Sequence, residues 1–575
     1  MTCKSYSHYI VSLLLLFIIR AQDFSDGPYG INFFDIAGPF TIEDLGVRQS
    51  GDLDGDRFIN LKDVLLYTSY LDGEISFSEE ELIYADINED SNIDIIDIIL
   101  SIDKIFNFSP ALWSFEDSWI GGESYILIPS NTLWQQNVKL ELLQNSPLNV
   151  HYIFLSNLDS NYDAMLDLKA EFDIIINQLS SELKTHWLSH LHFSAKKISE
   201  YDSWLSEGLA NRQALGINQF QLLQETGSLS NPDGFIGNYL HYLAHEALFY
   251  DYEWNVLNED ESTYDEITVF ERAHYTGGWA STIETIVEFP DVETLDNYSG
   301  MSIELLRGCP DANGNYSDQG CDDYDRIARM FICNEDGSNC NEAARWITPF
   351  DRQPHHLTDI SPFISMIKSG GNKMVKFQES GWPNSLLTMR FRFYHGEDLT
   401  DTPQTFQPMW VGTIPFNPDF DDNTPPIVFE VPDDATKVEF VSYITGHGWG
   451  CDGFNCAEFC NSKHIFTVNG GVHEFETAYP EAGDNDYCME PETIAQGVKP
   501  NQYGTWGYGR AGWCPGQDVH PMVTDITDYI STGEENVIDY DACRVQGTNC
   551  VTAPTCQGDG YCPEIAVSSY IIIWR

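Results

Sequence analysis

The sequence predicts a multidomain, mainly β protein. An α/β unit interrupted by a small helical calcium-binding module precedes two consecutive antiparallel β-sandwiches. Three observations carry this. Two acidic loops stand in tandem near the N-terminus, strand-like runs replace helical patterns from about residue 265, and every cysteine after Cys3 lies between 309 and 562. A chain of 575 residues is also longer than one hydrophobic core usually serves.

Lys4 precedes the apolar run "YIVSLLLLFII" (9–19), and Ala21 offers a small residue for cleavage, so residues 1–21 read as a signal peptide. The run is short for a membrane span and no later segment is long and apolar enough for one. The expectation is a secreted or extracellular protein, periplasmic or attached at a surface. Export favours disulfides over zinc or reactive thiols, and the odd number of cysteines after Cys3 leaves one without a partner in the chain. The net charge of −60 argues against nucleic acid and reads as a solvated surface compatible with calcium.

Residues 52–63, "DLDGDRFINLKD", place Asp52, Asp54, Asp56, Asn60 and Asp63 at loop positions 1, 3, 5, 9 and 12. Residues 86–97, "DINEDSNIDIID", repeat the register with Asp86, Asn88, Asp90, Asp94 and Asp97. Calcium requires such a shell of hard oxygens, completed by the carbonyl at position 7. Apolar helical runs, "VLLYTSYL" and "IILSIDKIF", follow the loops. The pair resembles a type I dockerin module over residues 49–106, with Asp at position 12 and Arg57 and Ser91 where glycine is usual. The resemblance implies structural calcium and either a cohesin-like partner or docking within the chain.

Around the module, "DIAGPFTIEDL" (35–45) resumes at "LWSFEDSW" (112–119), as though the module were inserted. Strand "SYILIP" (124–129), a helix from Trp134 to Leu143, strand "NVHYIFL" (149–155) and one long helix over roughly 162–184 then predict a parallel crossover. With "ALGINQFQLLQETGSL" (214–229), this order resembles a thioredoxin-like fold over residues 22–48 and 107–262. "PSNTLW" (129–134) stands in place of that family's cysteine motif, which implies a scaffold or binding element. "HYLAHE" sets His241 and His245 on one helical face but lacks a nearby third ligand, and reads as a packed or surface helix.

Strand patterns dominate thereafter: "KMVKFQ" (373–378), "LTMRFRF" (387–393), "IVFEV" (427–431) and "KVEFVSYI" (437–444). "KHIFTVNGGVHEFE" (463–476) carries an Asn-Gly hairpin signal. The turn-rich "IPFNPDFDDNTPP" (414–426) is expected to bridge the two sandwiches, 263–405 and 406–575.

Three carboxylates draw attention here. Asp325 lies at a strand opening in "CDDYDRIARMFI", where an ordinary surface turn is the competing account. Glu379 ends a strand in "KFQESGW", where an edge charge against aggregation is the alternative. Glu458 lies between Cys456 and Cys460 in "GFNCAEFC", a spacing open to a metal pair, a redox pair or a small disulfide loop. A bridge there would contribute only about 2 kcal/mol by loop entropy, so its use would be local geometry.

"TGHGWGCDGFNCAEFC" (445–460) with "GRAGWCPG" (509–516) resembles the second domain of the peptide:N-glycosidase F family. "CPDANGNYSDQGCDDYDRIARMFI" (309–332), "RWITPF" (345–350), "LTDISPF" (357–363) and "VKFQESGW" (375–382) resemble its first. The resemblance, over about 265–575, implies two adjacent eight-stranded jelly rolls with a site at their interface. It implies Asp325 as the essential carboxylate, with Glu379 and Glu458 in support. It places Arg326 and Arg510 toward the substrate with the motif aromatics Trp382, Trp449 and Phe459, the last where the family carries tryptophan. It also implies the disulfides Cys309–Cys321, Cys456–Cys460 and Cys488–Cys514. Cys333 and Cys340 are close enough to pair, and Cys451, Cys543, Cys550, Cys556 and Cys562 stay unassigned. The implied reaction is hydrolysis of the amide joining asparagine to N-acetylglucosamine in N-glycosylated proteins or peptides, with no catalytic metal. Two rival readings are a non-catalytic glycoprotein-binding or surface-assembly protein, and a copper-dependent peptide monooxygenase using "PHH" (354–356) and "HPM" (520–522).

Overall fold

The computed structural model describes residues 23–575 except 33, 56–58, 108–109, 130–135, 157–161, 202, 211, 213, 228–241, 311–315, 318–319, 381–383, 397–398, 400, 451–455 and 559. The signal segment, Asp56, Trp382, Cys451, His241 and most of "PSNTLW" therefore lie outside the described residues.

The N-terminal half holds a mixed seven-stranded sheet. Its order is Ala111–Ser114, Thr41–Asp44, Leu191–Lys197, Val150–Ser156, Ser124–Ile128, Leu215–Ile217, Leu223–Glu225. The three central strands, Leu191–Lys197, Val150–Ser156 and Ser124–Ile128, run parallel, and their flanks are antiparallel. Ser124–Ile128 and Val150–Ser156 are buried on both faces, which is why they read as unbroken apolar runs. Ile126 and Ile128 face a core with Leu142, Phe172 and Trp187 of the helices, while Tyr125 and Leu127 face Phe40 and Phe115.

The helix expected over 162–184 is two: Tyr162–Ile176 and Ser181–His190. The break comes where the Ser180 hydroxyl accepts from the Leu183 N–H at 3.3 Å and caps a new helix. Thr41–Asp44 pairs with Ala111–Ser114 in antiparallel register, so the segment carrying the acidic loops leaves and re-enters the sheet between neighbouring strands.

Two pairs of antiparallel sheets follow. In the first, Tyr316–Ser317, Tyr298–Pro310, Ser385–His395 and Tyr264–Tyr275, with His355–Asp359 on the second of these, make one sheet. Asn341–Ile347, Ile327–Asn334, Gly371–Glu379 and Ser281–Phe289 make the other. The second pair joins Pro403–Pro415, Glu564–Trp574, Lys437–His447 and Met522–Asp525 with Ile427–Glu430, Glu535–Gln546, Ser462–Val468 and His473–Ala478, Asn549–Val551 lying on Glu535–Gln546. Because Pro403–Pro415 already pairs with Glu564–Trp574, residues 414–426 connect strands of the second pair and do not bridge the two sandwiches. The expected hairpin forms with a four-residue connection, Val468 facing His473, and Asn469 adopts a φ of 50°.

The two pairs of sheets share a core. Val441, Tyr443, Tyr570 and Ile572 of the second join Met330, Trp346 and Phe363 of the first. Arg345 fastens the seam: it pairs with Glu342 at 2.7 Å and donates to Thr445 Oγ1 and the Ala566 carbonyl, each at 2.8 Å. The helix Tyr242–Leu257 ties the α/β unit on, through Arg352–Glu246 at 2.9 Å and packing of Phe249 and Tyr250 against Phe350 and Trp506.

Candidate active site

The seam brings together chain segments that strand geometry alone would keep apart. Asp325 and Arg326 immediately precede the strand Ile327–Asn334, and the strand Lys437–His447 runs out into the segment that carries Glu458. Cys309–Cys321 anchors the approach to Asp325, Cys456–Cys460 brackets Glu458, and Cys488–Cys514 closes the segment carrying Arg510. The structure also joins Cys333–Cys340, Cys543–Cys550 and Cys556–Cys562.

Arg510 is the hub. Its Nη2 lies 3.4 Å from Asp325 Oδ2 and its Nε 3.6 Å from Glu458 Oε1. The guanidinium donates to the carbonyls of Thr505 at 2.9 Å and Tyr508 at 2.6 Å, and stacks on Phe459 and Trp513, each 5.1 Å from ring centroid. A buried cation so fixed is a preorganised electrostatic element. Glu458 Oε2 accepts from the Gly448 N–H at 3.3 Å. Gly448 has φ +92°, and a Cβ there would come within 2.5 Å of the Cys562 carbonyl oxygen, so this donor position requires glycine.

Burial, and after it the charge of Asp325, lifts the Glu458 carboxyl to about 7 against the pull of Arg510. Burial likewise raises Asp325, with Arg510 opposing. Their side chains remain partly open, at 18% for Asp325 and 13% for Glu458.

Glu379 stands apart. Its carboxylate is fully buried against Arg307, with Nη2–Oε1 at 2.8 Å and Nε–Oε2 at 2.7 Å. Burial raises it and Arg307 opposes. Arg326 pairs with Asp322 at 3.3 Å and lies over the Tyr324 ring, and its charge acts on both Glu379 and Asp325. Asp322, Arg326 and Arg307 thus relate the two carboxylate centres.

The rim is aromatic. Trp449 is 61% exposed, with its ring 5.5 Å from Tyr561 at a steep angle, and Tyr324 is 60% exposed beside Asp325. Sequence reasoning missed Arg307, Tyr561 and Tyr324. An arginine in the apolar strand run "IELLRGC" was the available signal for the first. The other two carried none until the fold placed them. Of the copper-reading histidines, His355 lies between Glu304 at 3.2 Å and Glu253 at 3.6 Å, and His520 faces Asp518 at 3.0 Å. His245 is buried in its helix.

The two acidic loops repeat one geometry. Asp63 accepts from the Leu53 and Asn60 N–H groups at 2.8 Å, and Asp97 accepts from Ile87 and Asp94 at 2.9 Å. Ser91 takes φ 67° at position 6, and the helices Leu61–Leu71 and Ile95–Phe106 follow. Ligand oxygens of Asp52, Asp54 and Asp63 lie within 4.8 Å of one another, with Asp52 and Asp63 buried. Buried, converging carboxylates fit a hard divalent cation. Leu61, Leu65, Ile83, Ile95 and Phe106 nonetheless stay exposed.

Residues 415–572 match the family model "Peptide-N-glycosidase F, C terminal", and residues 50–105 match the dockerin type I domain. A curated relative, the peptide-N(4)-(N-acetyl-beta-D-glucosaminyl)asparagine amidase F of Elizabethkingia miricola, is 24% identical over 343 residues, covering 55% of this chain and 86% of the relative. A crystal structure of peptide-N(4)-(N-acetyl-beta-D-glucosaminyl)asparagine amidase aligns with a TM-score of 0.42 at 20% identity, covering 54% of this chain and 96% of its own. The structure of PNGase F from Flavobacterium meningosepticum aligns at 0.40 and 20%, covering 54% and 95%.

Proposed function

From a chain that carries a segment of the peptide-N-glycosidase F C-terminal family and a dockerin type I domain, we propose an exported amidase that hydrolyses the asparagine–N-acetylglucosamine amide of N-glycoproteins or glycopeptides. In this reading the paired sheets are two jelly rolls and the α/β unit is a thioredoxin-like scaffold. The observation that carries it is the meeting of Asp325 and Glu458, from different sandwiches, at one buried arginine beneath an aromatic rim.

Asp325 accepts the proton of a water that adds to the amide carbonyl carbon. The carbon–nitrogen bond then breaks as the leaving nitrogen takes up the proton held by Asp325, giving aspartate and a glycosylamine, which reacts with a second water to lose ammonia. Arg510 holds Asp325 and Glu458 in register and opposes their mutual repulsion. Glu458, lifted to about 7, is available as a hydrogen-bond donor to the sugar or the amide near neutrality. Glu379 is a positioning residue: it holds Arg307, and through the neighbouring Asp322 and Arg326 it shapes the ground beneath Asp325. Trp449 and Tyr561 offer ring faces to the glycan.

The exposed apolar residues of the acidic-loop module are not covered by the rest of the described chain, which favours docking to a separate, cohesin-like protein over docking within the chain. Incubation with a defined N-glycopeptide tests the proposal. Release of free glycan supports the amidase. Retention of intact glycopeptide on the protein, without release, supports the glycoprotein-binding alternative, which the same rim would serve.

A further inference from the structure

A second cluster of ligating side chains sits in the α/β unit, at one end of the central strands of the mixed sheet. Glu123 immediately precedes the strand Ser124–Ile128, His151 is the second residue of Val150–Ser156, and His190 ends the helix Ser181–His190. They gather where the parallel strands Ser124–Ile128 and Val150–Ser156 begin, opposite the end leading to residues 129–134. His151 Nε2 lies 3.1 Å from Glu123 Oε2, and His190 Nε2 lies 3.5 Å from Glu123 Oε1. One ligand atom from each of the three residues lies within 4.8 Å of the other two, a spread that small side-chain shifts bring to the roughly 3.3 Å between ligand atoms of one tetrahedral ion.

The second nitrogen of each ring fixes what the first can do. His190 Nδ1 faces the His186 carbonyl at 2.9 Å, which can only accept, so the proton sits on Nδ1 and Nε2 of the neutral ring presents a lone pair. Asp44 Oδ2 lies 2.7 Å from His192 Nδ1, and His192 Nε2 lies 3.1 Å from His151 Nδ1. With Asp44 accepting, a neutral His192 accepts in turn from His151, and His151 Nε2 also presents a lone pair toward Glu123. In these neutral tautomers two imidazole lone pairs and one carboxylate converge. An outer hydrogen bond that orients each ligating imidazole is the usual support of a metal centre. His186, stacked on His190 with ring centroids 3.9 Å apart, adds a buried Nε2 without a hydrogen-bond partner among the described residues. Glu123 and His190 are 18% and 16% exposed, which leaves an ion a way in.

We propose that Glu123, His151 and His190 bind a divalent transition-metal ion of the zinc class, with His192 and Asp44 ordering His151. Two imidazoles and one carboxylate suit zinc, cobalt or ferrous iron and are too nitrogen-rich for calcium. The site is separate from the acidic loops and from Asp325, and the proposal stands whether or not the chain is an amidase.

The test uses the full chain, stripped of metals by a chelator, returned to saturating calcium and titrated with cobalt(II). One equivalent should bind, with visible d–d absorption that zinc abolishes by displacement. His190→Ala and Glu123→Gln should each weaken binding at least about tenfold, while Asp325→Asn leaves it unchanged. Circular dichroism of both variants checks that they fold, and both change partly exposed side chains. Failure of the parent protein to bind cobalt would overturn the proposal, as would unchanged affinity in the two folded variants.

Discussion

Asp325 and Glu458 address one guanidinium from opposite sandwiches: Arg510 lies 3.4 Å from the first and 3.6 Å from the second. Arg510 stands 185 residues from Asp325 in sequence. The arrangement exists only when both sandwiches are folded and their shared core is closed.

Glu458 makes the seam sensitive to pH. Its carboxyl titrates at about 7 in the fold, against 4.5 in the unfolded chain, because of burial and then the charge of Asp325. Between those values the folded state holds the extra proton, so this group's contribution to stability falls as pH rises from 4.5 to 7 and is level above. Glu458→Gln removes that slope. Urea unfolding should show the variant gaining on the order of 1–3 kcal/mol relative to the parent on going from acid to mildly alkaline pH.

Glu379 and Arg307 form a buried pair, and removing one partner leaves the other charged and enclosed. Glu379→Ala should therefore cost about 3–5 kcal/mol of stability by denaturant unfolding. The double variant with Arg307→Met should cost less than the sum of the two single changes.

Trp449 stands exposed at the rim, its ring against Tyr561. If glycan stacks there, Trp449→Ala should raise KM roughly 2- to 12-fold with kcat little changed, measured on a defined glycopeptide.

The acidic loops should take calcium independently of the seam. Asp63→Ala and Asp97→Ala should each remove one calcium by isothermal titration calorimetry. Release from a free glycopeptide should be unaltered in both.

Legibility in the sequence followed the distance over which each feature is built. The loops at 52–63 and 86–97 declare themselves because calcium geometry is encoded within twelve consecutive positions. Ser124–Ile128 and Val150–Ser156 were readable because burial on both faces leaves an apolar run. The helix break at Ser180 was missed because one hydroxyl cap outweighs an amphipathic pattern that continues through it. The role of 414–426 was missed because only the pairing of Pro403–Pro415 with the last strand assigns that segment to the second sandwich. The three carboxylates could be picked out, but not the asymmetry among them. Arg307 and Arg510, which create it, meet their partners only through tertiary packing. The histidines around Glu123 were invisible for the same reason, since three separate segments supply them.

The most direct measurement is mass spectrometry of a defined N-glycopeptide incubated with the protein in water enriched in heavy oxygen, beside the Asp325→Asn variant. The parent should release the glycan and leave aspartate carrying the heavy label, while the folded variant should be slower by about 10²–10⁴-fold. A glycopeptide left intact by the parent, or an Asp325→Asn variant that releases glycan at the parental rate, would contradict the proposed mechanism.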